Sequence, residues 1–322
     1  MAILLTGGLG YIGSHIAQIL GSNAVIIDNL SNSNLDYKKI LPKSNVYESE
    51  INPIILKKVF TKHNIKGVIH LAGLKSVNES TKFPLQYFRN NLCSSLILLE
   101  MMDKFKINAL IFSSSATIYG NKSLNPLKEN YPYNSTNPYG STKIFIEQMI
   151  KDYCNSNPKF KAISLRYFNP IGAKLHSGLK DQPLGKPQNI MPVLINSIIH
   201  KKIFKIFGND YPTKDGTCVR DYIHVVDLAE AHIKAFKYLK KIKGHLPLNI
   251  GLGKGISVLE FIERFEKINK IKVNYEMHTR RGGDAAITIA DNSNAKKLLN
   301  WKPKFSYDNM MKDSWKAAIE FE

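Results

Sequence analysis

The sequence predicts an α/β protein: a doubly wound parallel sheet carrying a smaller mixed α/β carboxyl-terminal domain. Three observations predict it. Short apolar runs alternate with longer helical stretches over residues 1–170. A glycine-rich turn, Thr6-Gly7-Gly8-Leu9-Gly10-Tyr11-Ile12-Gly13, separates the first run from the first helix. After Asn169 the alternation loosens. Residues 2–6, 24–28, 67–71, 109–113 and 162–165 read as strands. Their hydrophobicity is mostly continuous rather than alternating, which suits parallel strands covered on both faces. Residues 84–105 and 139–153 read as helices, and this order demands helical crossovers between parallel strands. Pro138 suits a first helical turn, with Thr136 or Asn137 as its cap.

Beyond Asn169, residues 175–188 are rich in Gly, Pro and polar side chains and read as a loop before a helix at 191–201. A second loop at 208–217 precedes helices near 227–239, 258–268 and 308–321, with a strand at 248–250. No repeat or low-complexity linker interrupts the chain. The carboxyl-terminal part is therefore expected to pack over the sheet.

The 322 residues are 43% hydrophobic and 22% charged, which argues against global disorder and allows a large core without disulfides or structural metal. The net charge of +19 points to anionic partners. Of 45 basic residues only six are arginines and 39 are lysines. Nucleic-acid readers lean on arginine for bidentate and stacking contacts, so no nucleic-acid partner is expected. Cys93, Cys154 and Cys218 lie far apart with no Cys-x-x-Cys pair, which fits a reducing cytoplasm. The amino terminus lacks a basic region, and no apolar run approaches the ~18 residues of a membrane span. A cytoplasmic protein without a membrane partner is expected.

Gly8, Gly10 and Gly13 match G-x-G-x-x-G, and Gly7, Gly10 and Gly13 match G-x-x-G-x-x-G. Such a turn lets a diphosphate approach the backbone at a helix amino terminus, where free N–H groups and the helix dipole favour negative charge. Asp28 follows Gly8 by twenty residues, at the end of the second strand. A carboxylate there accepts ribose hydroxyls and repels a 2′-phosphate, so NAD is expected rather than NADP. The first domain thus reads as a Rossmann-type dinucleotide-binding unit.

Tyr139 and Lys143 are four residues apart, on one helix face. Fifteen tyrosines and 39 lysines predict about two such pairs by chance, so position gives the pair its meaning. It follows the strand ending in Ser113-Ser114-Ser115. Tyrosine is a poor base at neutral pH; a nearby ammonium and a positive nicotinamide ring both favour phenolate, and Ser115 could share or relay the proton.

Together these residues resemble the extended short-chain dehydrogenase/reductase family. Leu71-Ala-Gly-Leu-Lys-Ser-Val-Asn-Glu-Ser80, Arg166-Tyr-Phe-Asn-Pro-Ile-Gly-Ala173 and Asp215-Gly-Thr-Cys-Val-Arg-Asp-Tyr-Ile-His-Val225 resemble its UDP-hexose 4-epimerase branch. The resemblance runs from Ala2 to about Asp313 and implies a homologous fold. It implies an NAD-binding domain at 1–168, rejoined by part of 219–250, and a nucleotide-sugar-binding domain at 169–322. It implies that Gly7, Gly10, Tyr11, Ile12, Gly13, Asp28, Asn29, Leu71, Ala72, Lys75, Asn90, Tyr139, Lys143 and Phe168 contact NAD. Ser115, Asn169, Asn189, Phe207, Arg220, Arg281 and Asp284 would contact the nucleotide sugar, with Ser115, Tyr139 and Lys143 catalytic. Two of only six arginines fall in that set, and bidentate guanidinium groups suit a diphosphate. Phe207 suits a uracil flank and a core position equally.

The implied reaction inverts C4 of a UDP-hexose (UDP-glucose/UDP-galactose) through a 4-keto sugar that turns before re-reduction. Related dehydratases place Asp-Glu after the hydroxyl residue; Ala116 and Thr117 stand here and supply neither acid nor base. Glu50 stands where such epimerases more often carry Asp beside adenine. Thr288 stands where some carry a bulky Tyr. A small residue there leaves room for a 2-acetamido group, so UDP-N-acetylhexosamines are an alternative substrate class. His70, His224 and His232 sit in apolar segments and read as core residues; no cluster has metal-ligand spacing. Helices 84–105 and 139–153 are expected to pair across a homodimer, although their apolar residues could equally be consumed within one chain.

Overall fold

The computed structural model describes residues 2–33, 35–121, 124–185 and 187–320. In chain order the first half runs β1 (Ala2–Thr6), α1 (Tyr11–Leu20), β2 (Ala24–Asp28), α2 (Tyr37–Ile40), β3 (Asn45–Glu48), α3 (Pro53–Lys62), β4 (Ile65–His70), α4 (Val77–Lys82), α5 (Pro84–Lys104), β5 (Ala109–Ser115), α6 (Pro138–Ser156) and β6 (Lys161–Tyr167). The second half continues with β7 (Asn169–Ile171), α7 (Ile190–Ile199), β8 (Phe204–Phe207), β9 (Val219–His224), α8 (Val225–Tyr238), β10 (Gly244–Ile250), β11 (Gly255–Ser257), α9 (Val258–Asn269), β12 (Tyr275–His278), β13 (Ile287–Thr288), α10 (Ser293–Leu299) and α11 (Tyr307–Ile319). The last helix was expected to reach residue 321; Phe321 lies outside the described residues, as do Met1 and Glu322 of the expected domains.

The main sheet has seven strands, all parallel, in the order β10-β6-β5-β4-β1-β2-β3. Strand period two divides its core into two layers. Ile3, Leu5, Ile26, Ile69, Ile111 and Ile163 face α1 and α8, where Ile16, Ala17, Leu228 and Ala231 meet them. Leu4, Val25, Ile27, Val68, Leu110 and Phe112 face the other way, onto Leu56 and Val59 of α3, Leu98 and Met102 of α5, and Ile146 and Ile150 of α6. Both faces are therefore dry, as the continuous apolar runs require. The chain order reverses at β1, whose two neighbours are β2 and β4, and a doubly wound sheet opens its ligand crevice beyond the strand ends at such a point.

The edge strand β3 was not foreseen. Its pattern, Asn-Val-Tyr-Glu, is half exposed and lacks an apolar run. The smaller assembly centres on β9, which pairs parallel with β7 and β13 and antiparallel with β11. A separate parallel pair joins β8 and β12. Phe261, Phe265, Met310 and Met311 form the core of this part under α7, α9 and α11. The two assemblies are tied by Asp221, whose buried carboxylate accepts the backbone N–H groups of Leu252, Gly253 and Ala290 at 2.8–3.0 Å. Burial holds that carboxyl up at about 7 despite these donors.

Candidate active site

A cleft of about 1350 Å³ opens beyond the ends of β1, β4 and β5. At one end lies the glycine turn. Gly7 has φ +70°, and a β-carbon on it would fall 2.7 Å from the Ala72 backbone nitrogen. One on Gly13 would fall 2.4 Å from the Gly7 carbonyl oxygen. These glycines let the turn lie against the chain at Leu71–Ala72 and let α1 start directly behind it. Among the described residues no side chain caps α1, and its first residues, Tyr11, Ile12 and Gly13, line the cleft. Asp28 is pinned by the N–H groups of Leu9 and Leu30, each at 2.9 Å. A backbone cradle that a β-carbon would fill, a bare helix start and a fixed carboxylate are what an NAD-sized dinucleotide fits. Asn29, Glu50, Leu71, Ala72, Lys75, Asn90 and Phe168 line the same cleft.

The helix bearing the Tyr/Lys pair begins as the local sequence dictates. Asn137 accepts the Gly140 N–H at 2.9 Å and Pro138 fills the first turn. Thr136 reaches across to the Gly283 carbonyl instead, at 3.5 Å. Tyr139, Lys143 and Glu147 then fall one turn apart on the face turned to β5. The Lys143 ammonium donates to the Ser113 carbonyl at 2.8 Å and lies 4.9 Å from the Phe112 ring centre and 5.7 Å from that of Tyr139. Burial lowers Lys143 to about 8, partly offset by Glu147. Burial also raises Tyr139, against a hydrogen bond from Ser115 that lowers it. In the protein alone burial wins, so the expected fall toward the neutral range needs positive charge added beside the phenol.

Glu147 belongs to a buried network absent from the sequence reading. Its carboxylate meets the Arg166 guanidinium at 2.7 and 3.0 Å, both side chains being essentially inaccessible. Ser114 and Tyr133 also donate to it, at 2.5 and 2.9 Å, while Arg166 reaches the Tyr119 hydroxyl and the Glu129 carbonyl. Burial pushes Glu147 up, but Arg166 outweighs it and holds the carboxyl below its usual range. This network fixes α6 to β5 and β6. Its available signal was Glu147 itself, one further turn along the Tyr139–Lys143 face.

At the opposite end Arg220 lies 3.8 Å from Asp284 and donates to its neighbour's carbonyl, that of Val219, at 3.0 Å. Thr288 pairs with Arg220 in the strand register and lines the cleft beside it. Asn169 donates to the Asp221 carbonyl at 2.7 Å, and Asn189 to Asp181 at 3.4 Å. Arg281 also lines the cleft, stacked 3.8 Å over Phe207. Phe207 itself is not part of the lining: it is covered by Arg281 and lies against His278. The structure therefore brings every expected site residue except Phe207 to one cleft, and adds Thr117, Tyr167, Gln188 and Arg89.

The expected core histidines are buried. His70 bonds Thr6 at 2.6 Å and Ser95 at 2.9 Å, His232 bonds Tyr167, and His224 stacks on Phe305. Among the described residues no group of three His, Cys, Asp or Glu side chains is arranged to hold a metal ion. Among them, too, no helix is long and apolar enough to cross a membrane.

A parallel sheet with its cleft at the chain reversal, a glycine cradle and a Tyr/Lys helix define a dinucleotide-dependent enzyme class. Residues 3–251 match the model of the NAD dependent epimerase/dehydratase family, and the chain belongs to that family. It is 45% identical to a UDP-glucose 4-epimerase of Erwinia amylovora over 98% of this chain and 97% of that one. A UDP-glucose 4-epimerase structure from Stenotrophomonas maltophila, with bound NAD and formylated UDP-arabinopyranose, superposes with TM-score 0.95 at 39% identity, covering 100% and 98% of the chains. One from Bifidobacterium longum, in complex with NAD+ and UDP, gives 0.94 at 38%, covering 99% and 98%.

Proposed function

We propose that the protein is an NAD-dependent isomerase that interconverts UDP-glucose and UDP-galactose by inverting C4. One observation carries the reading: the Tyr139–Lys143 face, Ser115 and the glycine cradle open into the cleft that Arg220 and Arg281 enter from the other side. The residues from Gly7 to Gly13 with Asp28, Asn29 and Lys75 would hold NAD, which when bound takes up and returns the C4 hydride. Arg220 and Arg281 hold the UDP diphosphate, and Asp284, Asn169 and Asn189 bind polar groups around it. Tyr139 takes the 4-hydroxyl proton and gives it back on the other face of the sugar. Lys143 keeps a positive charge near the phenolate, and Ser115 donates to it. Anchoring falls on the nucleotide and leaves the sugar free to turn about its link to the diphosphate. Residues 1–168 with β10 carry the cofactor, and 169–322 the nucleotide sugar. Ala116 and Thr117, beside Ser115, offer no acid or base for dehydration.

Purified protein incubated with UDP-galactose and no added cofactor should form UDP-glucose. Absence of conversion with and without added NAD would overturn the reading.

A second substrate class, UDP-N-acetylhexosamines, is favoured by one observation, the small Thr288 on the cleft wall. Turnover of UDP-GalNAc in the same assay tests it, and a protein that converts UDP-galactose alone excludes it.

The active form is a homodimer paired through α5 and α6. Leu85 and Leu96 on α5 and Phe145 on α6 are 81%, 49% and 50% exposed, a large apolar area for a free surface. Light scattering should give twice the chain mass. The three free thiols, two of them buried, suit a reducing cytoplasm, and the cleft's cations serve nucleotides rather than nucleic acid.

A further inference from the structure

We infer that Asn125 is a positioning residue for the reaction: its side-chain amide stands in for strand backbone, completes the ladder that holds β13, and so fixes the cleft wall at Thr288 relative to Tyr139. The inference rests on the epimerase reading, in which that wall borders the hexose, and deepens it. β13 is two residues long and lies between two neighbours. One edge pairs with β9 and sets Thr288 beside Arg220. The other edge meets residues 125–127. There Leu127 forms a parallel bridge with Ala290: its N–H donates to the Ile289 carbonyl at 2.7 Å, and its carbonyl accepts the Asp291 N–H at 2.8 Å. Bonds of a parallel pair are evenly spaced, so the next step of the ladder falls at residue 125. That step calls for an oxygen to accept the Ile289 N–H and an N–H to donate to the Ile287 carbonyl. The Asn125 side chain supplies both, its amide oxygen accepting the Ile289 N–H at 3.0 Å and its amide nitrogen donating to the Ile287 carbonyl at 3.1 Å. The two backbone partners fix which way round the amide sits, because an N–H only donates and a carbonyl only accepts.

Side chains alternate along a strand, so the amide holds Ile287 and Ile289 by their backbone and leaves the Thr288 side chain on the cleft wall. The segment that holds them is the one leading into α6. The Glu129 carbonyl accepts the Arg166 guanidinium at 2.8 Å, and the Glu129 carboxylate accepts the Asn249 N–H at 3.0 Å. Further on, Tyr133 donates to Glu147 of α6 at 2.9 Å and the Asn134 N–H donates to the Ile118 carbonyl at 2.8 Å. One stretch of chain is thus fastened to the Thr288 wall at one end and to the helix of Tyr139 at the other.

The consequence concerns orientation rather than affinity. Asn125 does not itself line the cleft, so it acts through β13. Anchoring falls on the nucleotide, through Arg220 and Arg281, and β9 keeps its pairs with β7 and β11 whatever stands at position 125. The wall at Thr288 limits where the hexose rests, and therefore how well its 4-hydroxyl meets Tyr139. A wall that yields lets the sugar sit out of line. Turnover then falls while the nucleotide stays bound.

The test is Asn125→Leu, which keeps the bulk of the side chain and removes both bonds. Four quantities are read: kcat and KM for UDP-galactose, the inhibition constant of UDP, NAD content after gel filtration, and hydrogen exchange of the Ile289 amide. The kcat should fall about tenfold or more, because a small misplacement of the reacting groups is costly. KM, UDP inhibition and NAD content should stay within about twofold of the parent. The Ile289 amide, left without its acceptor, should exchange about tenfold faster or more. Asn125→Ala removes the same two bonds if the leucine protein does not fold. An unchanged kcat, an Ile289 amide as protected as in the parent, or UDP and NAD binding weakened as much as kcat would overturn the inference. A parent protein inactive on UDP-hexoses sinks the epimerase reading instead, and exchange at Ile289 still judges the hold of Asn125 on β13.

Discussion

The glycine turn at the cofactor end of the cleft is shaped by backbone, within one strand–turn–helix unit and against Leu71–Ala72, whereas the substrate end gathers side chains from segments far apart in the chain. Gly7, Gly13 and the bare start of α1 lie within a dozen residues, and their geometry follows from the absence of β-carbons. Arg220 and Thr288 are brought together by the pairing of β13 with β9, while Arg281 stacks on Phe207. A backbone site fails by steric collision; a gathered site fails by losing one contact at a time. Binding of the two ligands should therefore respond to mutation in different currencies, one through fit and one through individual charges.

Mutations can break or sharpen that contrast. Tyr139→Phe, at the meeting point of the two ends, should lower kcat by about 10²–10⁴-fold while UDP and NAD binding persist. Undiminished turnover would remove the base assignment.

Next in size is Glu147→Leu, which leaves the Arg166 guanidinium buried without its partner. A loss of ~3–5 kcal/mol is expected in urea unfolding, far more than from breaking the half-exposed Arg264–Asp308 pair at about 0–1 kcal/mol. Equal losses for the two would mean that the network under α6 is not what holds it.

Gly7→Ala should weaken NAD binding at least tenfold, because a strained φ costs about 1–3 kcal/mol and the new carbon meets backbone that cannot swing away. Retained cofactor, read by absorbance after gel filtration, measures it. Arg220→Ala should instead raise KM for UDP-galactose about tenfold or more, leaving NAD content unchanged. An Arg220→Ala protein that loses NAD would erase the distinction between the ends.

Acid acts on the whole fold rather than on one end of the cleft. Burial holds His15, His232 and His245 down at about 4 and His70 at about 3. Their unfolded forms take up protons below about 6.5, before the folded forms can. Their contribution to stability is thus complete above pH 6.5 and falls away as the pH drops toward 4. The urea midpoint should decline from pH 6.5 to 5, since four histidines outweigh the opposite effect of Asp221, whose raised carboxyl gains a proton in the folded state below about 7. A midpoint that rises on acidification would contradict the burial.

The same contrast governs what could be read from the sequence. Strands β1, β2, β4, β5 and β6 announce themselves because buried parallel strands need unbroken apolar runs. β3 does not, since an edge strand can be polar, and β7, β11 and β13 are two or three residues long and owe their existence to β9. The glycine turn, Asp28, Tyr139 and Lys143 are legible because their chemistry demands fixed local spacing. The Glu147–Arg166 network is not, because its members come from α6, β5, β6 and the segment between β5 and α6. Phe207 shows the remaining gap. Residue type left an aromatic wall for a base and a core position equally open; what it did not reveal is that the ring carries the Arg281 guanidinium, a relationship across 74 positions that no local pattern encodes.

The uncapped start of α1 has a consequence for the stability of the chain. Among the described residues no side chain caps this helix, so its first N–H groups are left to solvent or to a bound dinucleotide, which stabilises the native fold because the unfolded chain has no such site. Folding and loading then become linked equilibria: at a hundredfold excess over the dissociation constant, bound ligand adds about 2.7 kcal/mol to stability. The melting temperature of the protein is accordingly a gauge of how much cofactor surrounds it.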